Sequence, residues 1–444
     1  GDGYSFNIAS NYTLKFKNPK QSLSNDFSFL RWTDNSTSNN TTDYYINQGT
    51  PQAKRNQFNN ESNDEFNGQL DYTHPFSEDI KLEAGIKETY RNTDKDYRSE
   101  NYNYVTNTYD YDANLSNHFK YSDNIAAAYL TFSAKVKNTT FMLGLRGEQT
   151  NTDGNLITTN NTFKTDYFDL FPSVSVSQKL GITEELSASY SRRIYRPGIW
   201  DLNPFVVASD PLNYFSGNPK VKPEYTNSYE LSFIKYFSAT TITPTVFFRD
   251  TYDKITRTRV LTDSNRTLTT VDNLERSKSY GAELVMNTTL FQFWNLNGSV
   301  SYFKNDVTAN IPNVPSSNST YSWSGRASSF MRLPGILDIQ FSYFYSGKQI
   351  TTQGTVEPFT SFDVSLKKDF LDNRASLSLR VQDVFNNLKF KVLIDDPNFT
   401  ENLFRKRDTR AGFLTFTYKF GKEDKNQKRR KNDTAPPPSD GMGF

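Results

Sequence analysis

Cysteine is absent from the 444 residues, so there is no disulfide framework, no thiolate metal site and no cysteine nucleophile. Histidine is nearly absent. His74 and His118 are the only two, far apart in sequence, and leave little material for histidine catalysis or a histidine-rich metal site. No run approaches the roughly 18 apolar residues of a membrane-spanning helix, which excludes helical spans but not strands. Charge of one sign is also missing: the formal net charge is +2, so no global field points to nucleic acid. The start, Gly1-Asp2-Gly3-Tyr4, has no basic and apolar signal-peptide pattern. If exported, the chain is expected to be a mature or truncated product. No phosphate-cradling glycine loop, nucleophile elbow or metal-ligand pair stands out, and carboxylate pairs are too plentiful to single one out. No catalytic residue, cofactor or metal is therefore assigned, and the chain is read as a non-enzyme.

Aromatic residues, by contrast, are abundant: 36 Phe and 27 Tyr in a chain whose mean hydropathy is −0.72. Soluble cores are built mostly on aliphatics. A polar chain rich in aromatics suits a membrane barrel, with a polar lumen and an outer band edged by aromatic girdles. The dominant pattern is the two-residue period of a strand with unlike faces. Ala375, Leu377, Leu379 and Val381 alternate with Ser376, Ser378, Arg380 and Gln382. Leu296, Gly298 and Val300 alternate with Asn297, Ser299 and Ser301, and Ile80, Leu82, Ala84 and Ile86 with Lys81, Glu83, Gly85 and Lys87. No amphipathic helix is evident.

Short and long connections alternate. Tight turns fall near Asn18-Pro19, Pro75-Phe76, Lys137-Asn138, Gly181-Ile182, Ser238-Ala239, Phe291-Gln292, Leu333-Pro334 and Leu371-Asp372. Between them lie polar stretches read as long loops, such as Thr33 to Asn63 and Thr93 to Asp123. A membrane barrel predicts this, with short periplasmic turns and long external loops. A soluble sandwich or propeller has no reason to place every long loop at one end. The fold class is therefore all-β, a large antiparallel transmembrane β-barrel spanning residues 1–420.

The closing strand puts Leu414, Phe416, Tyr418 and Phe420 on one face. Its ending resembles the C-terminal signal of outer-membrane barrels, which makes outer-membrane lipid and the barrel-assembly machinery expected partners. Residues 421–444 turn charged and proline-containing, as in Lys428-Arg429-Arg430-Lys431 and Pro436-Pro437-Pro438, and read as a disordered periplasmic tail.

Mid-chain lies Tyr190-Ser191-Arg192-Arg193-Ile194-Tyr195-Arg196-Pro197, followed by Asn203-Pro204-Phe205, Asp210-Pro211 and Gly217-Asn218-Pro219-Lys220-Val221-Lys222-Pro223-Glu224. This run resembles the mid-barrel loop of TonB-dependent receptors and related outer-membrane β-barrel proteins. Val381-Gln382-Asp383-Val384-Phe385-Asn386-Asn387 is similar to the motif that opens the family's last loop, with Asp383 where Asn is commoner. Physically these residues shape loops. Each proline fixes φ and pushes its predecessor extended, and Gly217 is expected to supply a turn that other residues would strain. For Arg193, Asn203 and Asp210, loop shaping is preferred over ligand binding. Parity places Arg192 on the lipid side, where it must lie at the outer rim or be shifted by a bulge. Asp110-Tyr111-Asp112 begins like a calcium loop, but Leu115 replaces the glycine and Tyr121 the bidentate glutamate.

The resemblance implies a 22-stranded barrel around an N-terminal plug, importing a scarce ligand (siderophore, glycan or peptide). It also implies an inner-membrane energy-coupling complex as partner. A surface lipoprotein is a further expected partner. The alternative is a non-transporting scaffold subunit of a surface assembly; a soluble adhesin is the third reading. The tight turns imply about seventeen strands, and the first, Tyr4 to Lys17, runs into a tight turn. This parity predicts that an odd number of strands, about five, lies upstream to complete the barrel.

Overall fold

The structure is a computed structural model that describes residues 1–43, 51–208, 213–263, 266–309, 317–351, 353–396 and 399–421. The tail beyond residue 421 lies outside the described residues. Alternating sequences form one continuous antiparallel ladder in chain order. Its first half comprises β1 (Ser5–Lys15), β2 (Ser22–Thr42), β3 (Ala53–Pro75), β4 (Ile80–Asn103), β5 (Asn117–Val136), β6 (Thr139–Leu156), β7 (Asn161–Lys179) and β8 (Glu184–Tyr195). The ladder continues through β9 (Glu224–Tyr236), β10 (Thr240–Asp263), β11 (Arg266–Leu290), β12 (Trp294–Ala309) and β13 (Ser317–Leu333). It ends with β14 (Leu337–Ser346), β15 (Phe359–Phe370), β16 (Ala375–Gln382) and β17 (Ala411–Tyr418). Each strand pairs antiparallel with the next. Three short strands join this wall to make a 20-stranded sheet, and a separate 4-stranded sheet is built from residues 349–406. Among the described residues, no pairing joins β1 to β17.

All eight tight turns fall where the sequence places them, and they gather at one end of the wall. The long polar stretches differ from the expectation. Thr33 to Asn63 is largely strand, because β2 continues to Thr42 and β3 begins at Ala53 in unbroken register. Likewise β4 runs on to Asn103, and Thr108–Tyr111 folds back on it. Outside the membrane both faces of a hairpin meet water. The apolar alternation therefore stops while the backbone ladder, which must still satisfy its own donors and acceptors, goes on.

One face of the wall is apolar and exposed: Leu414 is 70 % and Phe416 63 % exposed, with Leu377, Leu379 and Val300 beside them in kind. The opposite face is polar, with Asn297, Ser299, Arg326 and Asp363 lining one cavity and Arg380 pairing with Asp363 at 3.0 Å. Aromatic rows edge the apolar band. Toward the long hairpins, Tyr190–Tyr229, Tyr229–Phe248 and Phe248–Tyr280 meet at 4.9, 6.1 and 6.4 Å. At the turns, Phe291–Phe293 and Phe370–Phe416 meet at 6.0 and 6.2 Å. Along β12, Trp294 to Tyr302 covers about 20 Å of axial height at about 3.4 Å per residue and 40° tilt, near the roughly 25 Å apolar band of such barrels. Spin labels at Leu377, Leu379, Leu296, Val300, Leu414 and Phe416 should report lipid, and labels at Ser376, Arg380, Asn297 and Thr415 water. A mixed or reversed pattern would overturn this face assignment.

The packed core lies at the long-hairpin end. Phe119, Tyr121, Leu156, Leu202, Phe205, Val221 and Val271 are buried together, with Phe163, Ile199, Val207, Phe215 and Ile255 packed around them. Three of the seven come from the segment joining β8 to β9, so that segment folds into the mouth of the wall.

Candidate functional site

The path of this segment follows from its composition. Pro197 holds Arg196 extended, and Arg196 turns inward. Its Nη2 donates to Glu148 at 2.5 Å and to Thr150 at 3.0 Å, while Arg146 donates to the same Glu148 carboxylate at 2.5 Å. One buried carboxylate thus joins two guanidiniums, one from β6 and one from the loop. The one-turn helix Ile199–Leu202 follows, closed by the Gly198 N–H donating to Asp201 Oδ2 at 3.0 Å. Leu202 enters the core, and Lys95 Nζ lies 4.1 Å from the centre of the Trp200 ring while pairing with Glu61 at 2.6 Å.

Gly217 is required for a reason other than the expected turn. Its φ is not positive, but a Cβ there would lie 2.5, 2.6 and 2.8 Å from the carbonyl oxygens of Trp200, Asn203 and Asp201. That close approach allows Gly217 N–H to reach Asn203 O at 2.9 Å and Asn218 N–H to reach Asp201 O at 2.7 Å. Asn203, buried, accepts from Phe205 N–H at 3.1 Å, and the Pro204 carbonyl accepts from Ser216. Asn218 donates to Val271 O at 3.1 Å and accepts from Lys220 N–H at 3.0 Å. Pro219 and Pro223 bracket Val221, which is buried in the core. Glu224 accepts from Ile255 N–H at 3.1 Å, and burial raises its carboxyl above the ordinary range despite that bond. Arg193 projects exposed from the opposite face of β8 to Arg192. Asp210 and Pro211 lie outside the described residues.

Arg192 occupies the rim. The ladder from β8 to β9 has no bulge, and the guanidinium lies 4.9 Å from the Tyr225 ring and 5.9 Å from that of Tyr252. Both rings stand above the Tyr190–Tyr229 row, so the charge rests on aromatic faces beyond the apolar band. At the C-terminus Phe416 and Tyr418 lie on β17 with Phe420 just past it, Tyr418 meeting Phe420 at 4.9 Å. The acids of the calcium-like run are held by amides instead: Asn103 donates to Asp110 at 2.7 Å and Asn101 to Asp112 at 2.6 Å.

Asp383 organises the last loop. It is fully buried with φ at 44°, and its carboxylate accepts from Asn387 N–H at 3.0 Å, Leu388 N–H at 3.1 Å and Thr409 at 2.5 Å, with Lys406 at 3.8 Å. Burial alone would raise its carboxyl, but these donors outweigh it and hold the group below the usual range. A depressed folded value stabilises above the unfolded pKa of about 3.9 and is lost as pH falls through the folded value. The protection of amides 387 and 388, relative to their intrinsic exchange rates at each pH, should therefore fall once the pH drops below about 4. Asp383→Asn, which keeps one acceptor and loses the charge, should remove most of that pH response.

Sequence reasoning did not anticipate Glu148, Lys95 or Gln353. Glu148 has an inward parity on the mouth side of outward Leu143 and Leu145, which marks a lumen charge but not its loop partner. Gln353 takes the place of a neighbouring strand on β10: its Oε1 accepts from Arg259 N–H at 2.8 Å and its Nε2 donates to Arg259 O at 2.9 Å.

An unbroken antiparallel wall with a lipid-compatible outside, a polar inside and a folded-in loop at one mouth is that of a transmembrane β-barrel. The chain matches the outer membrane protein beta-barrel family over residues 14–418, and it belongs to that family. It is a protein of the Gram-negative outer membrane. Its fold is similar to that of the siderophore receptor PiuA from Acinetobacter baumannii, with a TM-score of 0.64 at 15% identity over 94% of this chain and 65% of that one. The copper transporter OprC gives 0.64 at 14% identity over 94% and 65%, and the ferric citrate transporter FecA 0.61 at 12% over 94% and 62%. The expected likeness to TonB-dependent receptors holds at the level of fold, and the chain spans about two thirds of those structures. No curated protein matches the sequence.

Proposed function

We propose that this barrel is the outer-membrane part of an energy-coupled uptake receptor, taking a scarce ligand at the long-hairpin mouth. The observation that carries the reading is the folded-in loop. A segment tied to β6, β10 and β11 roofs a polar-walled lumen, so a ligand held above it can be coupled to loop movement below. The fold shared with siderophore and metal receptors supports the same assignment, and none of those neighbours is an enzyme by name. The loop residues serve to fix this roof, and the aromatic end of β17 serves as the assembly signal. Outer-membrane lipid, the barrel-assembly machinery and an inner-membrane coupling complex are the partners this role needs.

The wall also supports a larger closed barrel. Both β1 and β17 run toward the short-turn end, so direct pairing between them would be parallel. Antiparallel closure takes an odd number of intervening strands, and five would give twenty-two. The test is growth and uptake in a deletion strain supplied with ferric citrate, a ferric catecholate, cupric salts, glycans or peptides, with and without the proton-motive force. Loss of uptake of one of these is expected. Unchanged uptake of all of them, with intact surface assemblies lost instead, would replace import with the scaffold role.

A further inference from the structure

Above the rung Ser173–Ser191, β7 loses its β8 neighbour. Residues 161–172 pair with β6 on one side, and among the described residues no strand pairs on the other. Pro172, which has no N–H, stands where the ladder stops. Beside this edge runs a cleft of about 760 Å³. Every residue from 161 to 167 lines it, so it follows the strand's edge and not one of its faces, since faces show alternate residues only. The facing wall is Pro204 and residues 218–223.

That wall cannot close the ladder itself. Pro219 and Pro223 have no N–H, and the N–H groups of Lys220, Val221 and Lys222 are used by Asn218 Oδ1, Asn218 O and Asn273 Oδ1. The proline-rich loop lies along β7 and, among the described residues, no backbone group pairs with this edge. Lys220 and Lys222 are exposed there and have no acidic partner among the described residues, whereas Lys164 is matched by Asp153 at 2.8 Å. Asp166 is bonded to Gln149, and Asp253 closes the far end.

We propose that this cleft binds an extended acidic segment of a partner protein at the cell surface, added as a strand to the free edge of β7. The ladder supplies the backbone bonds, and Lys220 and Lys222 select carboxylates on the incoming side chains. The role is independent of import, because an edge cleft serves a transporting and a non-transporting barrel alike.

The probe is a capped peptide of about eight residues alternating Val and Glu, a typical strand length, titrated against the full-length protein in lipid nanodiscs. Binding is expected, weakened at least tenfold when Lys replaces Glu or in the Lys220→Glu/Lys222→Glu variant. Methylating alternate backbone amides should abolish binding in one phase and spare it in the other, a readout that needs no protein variant. These 444 residues have no cysteine, so Lys164→Cys, in full-length protein with any cysteine elsewhere replaced by Ser, gives a single site that should form a disulfide with a cysteine-bearing peptide. Equal binding of both N-methylated peptides, or no effect of the lysine reversal, would overturn the proposal. So would displacement of the peptide by lipopolysaccharide vesicles at unchanged backbone pattern, or concentration-dependent pairing of the chain with itself at this edge.

Discussion

Gly217→Ala should release the mouth loop while leaving the wall intact. The added Cβ would sit against three carbonyl oxygens at 2.5–2.8 Å, and backbone oxygens cannot swing aside as a side chain can. Relief requires separating residues 217–218 from 200–203, which breaks the two backbone hydrogen bonds between them. Overpacking of about 1–3 kcal/mol and two bonds at about 1 kcal/mol each give about 3–5 kcal/mol against the folded-in state. Hydrogen exchange across residues 196–224 should then approach that of an unstructured loop, with protection in β8 and β9 below it retained. Gly335→Ala is the control. It has a positive φ of 74° but open space around it, so its cost should stay near 1 kcal/mol and its effect at the short-turn end. If Gly217→Ala left the loop protected, the close approach would not be what fixes the roof.

What was legible in the sequence divides along a physical line. Lipid imposes the two-residue period, so strands were readable wherever they cross the membrane, as Leu377 to Val381 shows. Tight turns were readable because Pro19, Gly181, Pro334 and the polar residues around them end strands locally. Beyond the membrane this pressure vanishes. Asn35 to Thr42 is polar on both faces, yet it stays paired with residues 53–60, so its sequence carries the composition of a loop while its backbone is strand. The loop from Arg196 to Glu224 was readable as a constrained segment, because proline and glycine act on their own backbone. Its destination was not. Glu148, Val271 and Asn273 lie at sequence distances over which no local pattern connects them. Arg192 is an intermediate case: parity gave its face, but its height above the lipid needed the positions of Tyr225 and Tyr252. Gly217 is legible as a constrained position, but its constraint comes from carbonyls about fifteen residues away and not from its own dihedrals.

Glu148→Ala should open the roof further than Arg196→Ala, although both remove the same ion pair. The asymmetry lies in what each change leaves behind. Without Arg196, Glu148 keeps the Arg146 hydrogen bond at 2.5 Å, and Thr150 turns to its other partners or water; the loss is about 1.5–3 kcal/mol, that of a charge-assisted bond. Without Glu148, two guanidiniums face each other in a partly buried site with no carboxylate between them. Removing the shared partner of a buried pair costs about 3–5 kcal/mol, and here like-charge repulsion adds to it. Arg146 retains the face of Tyr129, at 5.1 Å, but Arg196 is left only Thr150 and the Tyr167 ring at 6.0 Å. The loop can escape by turning outward, while the strand residue cannot, so relief should take the form of loop opening at residues 196–223. Exchange rates of the Gly217, Asn218 and Val221 amides measure the free energy of that opening in each variant and in the double variant. The double variant should be less open than Glu148→Ala alone, because deleting Arg196 removes one of the two repelling charges. Equal opening in the two single variants would mean that Arg146 takes no part, and would reduce the site to a simple pair.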